Sequence, residues 1–480
     1  MRSLAFALIL ILAASPVAAV AAETGDAAVG RVVTSGLADP YEITWGPDGF
    51  IWATEKSGLR VVRIAPRTGA QKTAVTIPDA IHSAQDGVLG MALHPGLLHG
   101  EDFVFVAYTY DADPGPDVVR RTKIARYTYD IQSQRLVRPG GVIIGLPGGV
   151  DHQSARLVLG PDGKLYYTIG DQGANQFAAK CEPNLAQRLP TAAEVQARDW
   201  TAYQGKVLRL NQDGSIPADN PVLAGVRSHV FSYGHRNAQG LVFGSNATLY
   251  SSEHGPKTDD EVNIISRGTN YGWPHVAGFR DDKAYVYGNW SAAPDCEELA
   301  FDDYTIPPSV PQNKETDWHS RDFAGPIRTF HTVPSDHDFK DPKCAESKIW
   351  YLCWPTVAPA SLDYVSGSLL MPVLKEGTVY RLALSPDGKK VTSVKPLWRT
   401  TNRYRDTAIS PDNKRVYVAT DSAGNTKDPS GKPTNKLRNP GSILEFRLVQ
   451  QPVRPVTGST QWTFGDIGHI SSFSGRFASR

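Results

Sequence analysis

One short pattern recurs along this 480-residue chain and limits what it can fold into. An alternating apolar run meets Pro-Asp-Gly or a relative, and a second alternating run follows. Tyr41 to Glu55 reads YEITWGPDGFIWATE and Arg156 to Asp171 reads RLVLGPDGKLYYTIGD. Gly240 to Glu253, Tyr380 to Val394 and Thr407 to Asp421 repeat the theme, and Gly90 to Tyr108 is a looser variant. Proline pre-sets the first central position of a β-turn and glycine closes it, so each unit reads as a hairpin. Runs such as Leu165-Tyr166-Tyr167-Thr168 have the period of two expected of half-buried strands. Six such units at uneven spacing predict an all-β, six-bladed β-propeller whose ring removes most exposed sheet edges. A β-sandwich or two stacked β-domains is the competing architecture. In the propeller the uneven spacing means long inter-strand loops, and such loops are where sites form.

The predicted organisation has three parts. Arg2, the apolar run Leu4 to Ala14, the break at Ser15-Pro16 and the small residues up to Ala22 read as a secretory signal over 1–22. The propeller is expected over 23–452, followed by a Ser/Gly-rich tail over 453–480. An apolar run of 11 residues is too short to cross ~30 Å of hydrocarbon, and nothing later approaches a span, so the mature chain is not expected to insert in a membrane. The signal places it in the periplasm or outside the cell. Fifty Lys plus Arg against 49 Asp plus Glu leave a net charge of +1, which gives no basic surface for nucleic acid. Gly and Pro are abundant, at 43 and 35 residues, as a turn-rich chain requires. The four cysteines form no C-x-x-C. Cys344 and Cys353 are close enough to close a short loop in an oxidising compartment. Cys181 and Cys296 would then pair by elimination or stay as free thiols. A short helix is expected within 188–199, where Thr191 and Glu194 have capping chemistry, and a surface loop over 425–440.

No dinucleotide fingerprint, Walker A sequence, zincin motif or nucleophile elbow occurs, so nicotinamide, nucleotide triphosphate, zincin and α/β-hydrolase chemistry lose their usual support. What remains is a set of polar clusters that flank the hairpins: Asp151-His152-Gln153-Ser154, Asp171 to Gln176, Gly234-His235-Arg236-Asn237, Glu253-His254-Gly255-Pro256, Asn402 to Asp406, and Lys375. An isolated Asp-His pair is commonly a satisfied turn, and Arg403 and Arg405 share one face of a strand. A site needs these flanks to converge at one end of the ring.

Eight stretches carry a resemblance. They are DHQS at 151–154, YYTIGDQG at 166–173, GKVLRLN at 205–211, DGSIP at 213–217, GHRN at 234–237, NYGWP at 270–274, CWPTVAP at 353–359 and NRYRD at 402–406. From Val33 to Leu448 the chain resembles the soluble quinoprotein glucose dehydrogenases, which use pyrroloquinoline quinone (PQQ) and calcium. The resemblance implies a six-bladed propeller that oxidises the C1 hydroxyl of glucose or a related aldose to the lactone and passes electrons to an acceptor. It implies that His152 is the general base held by Asp171, and that Arg236 contacts the reacting oxygen. Gln85 and Asp151 would meet sugar hydroxyls, with Phe177 and Trp354 beside the substrate. Asn237, Tyr351, Thr356, Lys375, Arg403 and Arg405 would bind PQQ. Backbone carbonyls of Gly255 and Pro256 would hold the cofactor's calcium. A further Ca²⁺ would use Glu261, Tyr271, Ala277, Phe279, Asp281 and Glu315 near a homodimer interface. The residue types suit these roles: cations match the three PQQ carboxylates, calcium takes oxygen ligands, and a histidine suits proton removal near neutrality. The chain departs from the family at His254, where a glutamine is usual, at Phe177, where a leucine is usual, and in the Cys344 to Cys353 loop, two residues longer. Phe177 and that loop bear on sugar preference more than on chemistry.

Three other readings compete. A calcium-dependent propeller lactonase could use Asp-His and a metal but would not need Lys375, Arg403 and Arg405 together. A non-enzymatic sugar-binding propeller needs no general base. An aldose or sorbosone dehydrogenase would share the cofactor and differ in substrate.

Overall fold

The computed structural model describes residues 30–448 apart from Pro114 and Asp303. The expected signal (1–22) and tail (453–480) lie outside the described residues. The repeated hairpins become six four-stranded antiparallel sheets. Blade 1 runs Pro40–Trp45, Ile51–Glu55, Arg60–Ile64, Gln71–Thr76, and blade 2 Val88–Leu93, Phe103–Asp111, Arg120–Asp130, Arg135–Pro147. Blade 3 runs Ser154–Leu159, Leu165–Ile169, Lys206–Leu210, Val230–Tyr233, and blade 4 Ala238–Phe243, Leu249–Glu253, Asp260–Ile265, Arg328–Phe330. Blade 5 runs Asp363–Val365, Ser368–Pro372, Val379–Leu384, Val391–Leu397. Blade 6 takes three strands from the end of the propeller, Tyr404–Ile409, Arg415–Thr420 and Ile443–Arg447, and its outermost strand, Val32–Thr34, from the start. That shared sheet closes the ring, which leaves no free edge between the first and last blades.

The turn chemistry explains why the motif repeats. In Pro47-Asp48-Gly49, the Asp48 carboxylate accepts from the N–H of Phe50 at 3.2 Å and from Arg63 Nε at 2.8 Å on the third strand. Asp162 repeats this with Lys164 N at 3.1 Å and Arg209 Nε at 3.0 Å. Gly49 and Gly163 take φ of 76° and 70°, the left-handed region that glycine occupies without strain. Five of the six recognised units form the inner hairpin of a blade. The sixth, Tyr380 to Val394, forms the outer hairpin of blade 5, whose inner hairpin turns instead through Ser366-Gly367.

Apolar clusters fill the spaces between neighbouring blades, for instance Leu89, Phe105, Leu157, Tyr167 and Leu208 between blades 2 and 3. The centre of the ring is polar. Arg156, 1% exposed, donates to Glu42 at 2.5 Å, to Asp406 at 3.2 Å, to the Gln239 carbonyl at 2.9 Å and to the Ala360 carbonyl at 3.0 Å. One guanidinium therefore ties inner strands of blades 1, 3, 4 and 6 beneath the cleft. Helix Ala192–Ala197 forms as expected, with Thr191 and Glu194 in a reciprocal capping box. The expected loop over 425–440 contains a small ribbon, Thr426–Lys427 paired with Pro433–Thr434. Both cysteine pairs are bridged, Cys344 to Cys353 and Cys181 to Cys296.

Candidate active site

In an antiparallel hairpin the start of the first strand lies beside the end of the second. The clusters read from the sequence occupy these two places, so the fold brings them to one end of the ring. The first strand also begins with a register shift in blades 1, 2, 3, 4 and 6. Such bulges re-aim side chains next to active sites. In blade 3 the distortion is concentrated: His152, Ser154 and Ala155 have φ of 40°, 54° and 68°. Non-glycine residues there cost about 1–2 kcal/mol each, a strain the surrounding hydrogen bonds sustain.

The result is a cavity of about 890 Å³. His152, Asp151, Gln85, Phe177, Arg236, Gly255, Pro256, Tyr351, Trp354, Thr356, Lys375, Arg403 and Arg405 all line it. Asp171 and Asn237 stand behind the wall, each 1% exposed or less. Asp39, Lys56, His254, Asp260 and Asp421 also line the cavity, and the sequence reading gave them no role.

One wall carries a histidine paired with a buried carboxylate, an arrangement capable of proton transfer. His152 Nδ1 lies 2.6 Å from Asp171 Oδ1. The same carboxylate accepts from Gly173 N at 3.0 Å, Trp273 Nε1 at 2.7 Å and Asn184 Nδ2 at 2.9 Å. Burial alone would raise Asp171, but His152, Arg236 and these donors hold it below the usual carboxylate range. An ionised Asp171 favours the imidazole tautomer with its proton on Nδ1, which puts the acceptor lone pair on Nε2. Gln176 Nε2 stands 3.3 Å from that nitrogen, and its Oε1 accepts from Arg236 Nη2 at 3.1 Å. The Arg236 guanidinium lies 5.3 Å from the Trp273 ring and, among the described residues, pairs with no carboxylate. Gln85 Nε2 donates to Asp151 Oδ1 at 2.6 Å at the rim. Phe177, 54% exposed, packs against Phe301 with centroids 4.8 Å apart.

The opposite wall carries excess positive charge. Asp421 accepts from Arg403 Nε at 2.9 Å and from Arg405 Nε and Nη2 at 2.8 and 2.9 Å. Its carboxyl lies far below the usual range because the two guanidiniums outweigh burial. Among the described residues Lys375, 4% exposed, donates only to neutral oxygens, the Trp354 carbonyl at 2.9 Å and Thr356 Oγ1 at 2.6 Å. Burial and the Lys427 charge push its ammonium down to about 7, with Asp260 opposing. A buried cation with neutral partners calls for an anion. The Tyr351 hydroxyl accepts from Asn425 Nδ2 at 2.7 Å, and Trp354 Nε1 donates to Tyr304 at 3.1 Å. Below, Asn237 Oδ1 accepts from Ser154 Oγ and Gln239 Nε2 at 3.1 and 2.8 Å.

The two expected calcium positions differ. Gly255 and Pro256 reach the cavity, and Asp260 pins their loop by accepting from Gly255 N at 2.9 Å. The His254 ring has its Nε2 2.9 Å from the Pro359 carbonyl. The other set gathers around blade 4. Glu261 accepts from Gly278 N at 2.6 Å, and Glu315 accepts from Ala277 N at 3.0 Å and Asp282 N at 3.0 Å. Burial pushes Glu315 up to about 7, and burial with the Glu253 charge raises Glu261 well above the usual carboxylate range. A bound cation would relieve both. The Tyr271 hydroxyl is occupied by the Ile264 carbonyl and Ser266 N–H, Asp281 pairs with Lys283 at 2.9 Å, and Phe279 is exposed. Among the described residues no three His, Cys, Asp or Glu side chains converge as a metal cluster, so backbone carbonyls would have to supply ligands.

Comparison with known proteins matches this arrangement to a family. Residues 37–311 fit the family described as Glucose / Sorbosone dehydrogenase. The chain is 43% identical over 433 residues to quinoprotein glucose dehydrogenase B of Acinetobacter calcoaceticus, spanning 87% of this chain and 90% of that protein. It is 26% identical over 319 residues to an aldose sugar dehydrogenase of Escherichia coli, spanning 62% and 77%. The PQQ-bound aldose sugar dehydrogenase of Streptomyces coelicolor superposes with a TM-score of 0.61 at 24% identity, over 87% of this chain and 97% of that one, which shows a shared fold. The chain belongs to the glucose/sorbosone dehydrogenase family.

Proposed function

We propose that this protein is a PQQ- and calcium-dependent sugar dehydrogenase that oxidises the C1 hydroxyl of glucose or a related aldose to the lactone. One observation carries the reading: a carboxylate-oriented histidine and a set of cations in excess of their carboxylates face each other across a single cavity. The family relationship supports an oxidoreductase of quinoprotein type.

PQQ, when bound, supplies the two-electron acceptor for the hydride that leaves C1. Lys375, Arg403 and Arg405 would hold its carboxylates, with Thr356, Tyr351 and Asn237 as neutral partners. Calcium would sit on the carbonyls of Gly255 and Pro256, and a second ion would lie at Glu261 and Glu315. His152 Nε2 takes the proton of the C1 hydroxyl, and Asp171 stabilises the imidazolium that results. Arg236 directs its donors at the same oxygen, where negative charge develops as the proton leaves. Gln176 bridges Arg236 and His152 and keeps both aimed at one point. Gln85 and Asp151 meet hydroxyls at the rim, and Phe177 and Trp354 close the sugar pocket. The two disulfides agree with an exported protein that acts in the periplasm or outside the cell. The proposed enzyme would act as a homodimer and pass its electrons to an external acceptor.

The test is reconstitution. Purified apoprotein given PQQ and Ca²⁺ is expected to oxidise aldoses with a dye acceptor, and NAD is expected not to replace PQQ. Full activity without the quinone, or lactone hydrolysis in its place, would reject the reading.

A further inference from the structure

A buried polar chain that the chemistry above leaves unused runs from the last strand of blade 3 to the second strand of blade 4. Ser232 Oγ lies 2.9 Å from His235 Nε2, and His235 Nδ1 lies 3.0 Å from Glu253 Oε2. Hydroxyl, imidazole and carboxylate follow one another as in an acyl-transfer triad. They cannot work as one, because Ser232 and His235 are 0% exposed and neither lines the cavity.

The other oxygen of Glu253 shows a different task. Glu253 Oε1 accepts the backbone N–H of Arg236. The carbonyl of Arg236 accepts the N–H of Asp171 at 2.8 Å. The peptide groups on both sides of Arg236 are therefore gripped, one by Glu253 and one by the residue that orients His152. His235 stacks on Tyr271 with centroids 4.7 Å apart and planes 24° apart, so its ring is held against Glu253. The adjacent Gly234 has φ of 77°, and a Cβ there would stand 2.3 Å from Asn270 Oδ1, so the turn has a single close fit.

Arg236 needs such a grip. Arg403 and Arg405 are fixed at their guanidiniums by Asp421. Among the described residues the Arg236 guanidinium touches only neutral oxygens, Gln176 Oε1 and the His254 carbonyl, and its buried Nε has no partner. A carboxylate on this guanidinium would quench the field it offers to the substrate. Holding the backbone instead fixes its origin and leaves its charge free.

We propose that Glu253, braced by His235 and Ser232, is a positioning residue that sets Arg236 for the reacting oxygen. This rests on the role given to Arg236 above. The test uses full-length enzyme with Glu253→Ala, Glu253→Gln, Arg236→Ala and the Glu253→Ala/Arg236→Ala double variant. Glu253→Ala is expected to lower kcat/KM with glucose by about 10- to 100-fold, the scale of a misplaced catalytic group, while PQQ affinity stays within about threefold. Glu253→Gln should recover most of this, since its amide oxygen can accept the Arg236 N–H and its NH₂ can meet the other His235 tautomer. Adding Glu253→Ala to Arg236→Ala should cost less than about twofold, because the group it positions is gone. Losses that multiply in the double variant, or PQQ affinity falling in step with kcat, would overturn the proposal. Crystal structures of the apoproteins give a readout without turnover: the guanidinium should leave Trp273 in Glu253→Ala and stay in Glu253→Gln. An unmoved guanidinium rejects the proposal whatever the substrate proves to be. Displacement as expected, in a protein with no PQQ-dependent activity, faults the functional reading and leaves the positioning intact. Should Glu253→Ala not fold, His235→Asn removes the brace alone and is expected to give the same displacement and a smaller loss.

Discussion

The two walls of the cleft hold their cations in opposite ways. On the blade 6 wall, Asp421 fixes Arg403 and Arg405 at their guanidiniums, and Lys375 stands nearby on neutral oxygens. On the blade 3–4 wall, Asp171 is hydrogen-bonded to His152 and Asp151 stands 3.9 Å from its other ring nitrogen, whereas among the described residues no carboxylate is hydrogen-bonded to the Arg236 guanidinium. The difference separates two tasks. Charge that must wait for a permanently anionic ligand can be anchored in advance by a carboxylate, as long as cations remain in excess. Charge that must answer a transient oxyanion works best unpaired, in a fixed place, with no water to displace.

The largest effect should come from breaking the proton wall without touching the other. Asp171→Asn presents an amide to His152 and favours the tautomer with the proton on Nε2, which cannot act as a base. A loss in kcat of roughly 10⁴-fold is expected, as for the same change in a serine-protease triad, with PQQ affinity little altered. Steady-state kinetics beside a PQQ titration decides it. Near-normal kcat would mean the base lies elsewhere.

Each wall also has its own disulfide. Cys181–Cys296 joins the blade 3 insertion to the blade 4 insertion across 115 residues, whereas Cys344–Cys353 closes a loop with a separation of 9 in the segment that carries Tyr351 and Trp354. Loop-closure entropy gives about 4.7 kcal/mol for a loop near 100 residues and less than about 3 kcal/mol for one under 15. Double serine variants of each pair should differ by about 2 kcal/mol in denaturant unfolding, with Cys181→Ser/Cys296→Ser the weaker protein. Equal losses would show that native-state contacts, not chain entropy, set the contribution.

A smaller effect separates the walls by pH. Burial and the Lys427 charge push Lys375 down to about 7. A bound carboxylate favours the ammonium and raises that pKa, so binding takes up a proton above pH 7. PQQ affinity should hold below pH 7 and weaken above it, by at most about tenfold per unit. Lys375→Met should flatten the profile. Affinity that is flat from pH 6 to 9 in the unmodified protein would remove Lys375 from the anion site.

Much of this was legible because turn chemistry is local. Pro-Asp-Gly marked the inner hairpins of blades 1 and 3, where Asp48 and Asp162 both cap the turn and reach an arginine on the third strand. Blade 5 misled the reading because its inner hairpin turns tightly through Ser366-Gly367 and its outer hairpin carries the motif. The polar flanks converged for the reason the hairpins imply. Their partners were harder to see, since Asp421 meets Arg403 across the hairpin and Gln176 meets Arg236 across two blades. One signal was present: Glu55, Asp171, Glu253 and Asp421 each stand at or just after the end of a second strand, in the runs IWATE, LYYTIGD, LYSSE and VYVATD. An acid repeated at that position faces the top of the ring, and each of the four holds a basic residue or its backbone. Asp260 gave no such signal, because it pins a loop through backbone N–H groups of Gly255, Val357 and Ala358.

The division between the walls is tested most directly by measuring PQQ affinity, melting temperature and saturated kcat on two variants side by side, His152→Ala and Arg403→Ala. His152→Ala is predicted to bind PQQ normally, to melt near the unmodified protein, and to lose about 10²- to 10⁴-fold in kcat. Arg403→Ala is predicted to lose roughly 10- to 100-fold in PQQ affinity, the scale of a hydrogen bond to a charged group, and to recover most of its kcat once PQQ saturates. If both variants lose affinity and turnover together, or if His152→Ala keeps near-normal kcat in saturating PQQ, the walls do not divide the work and the account is wrong.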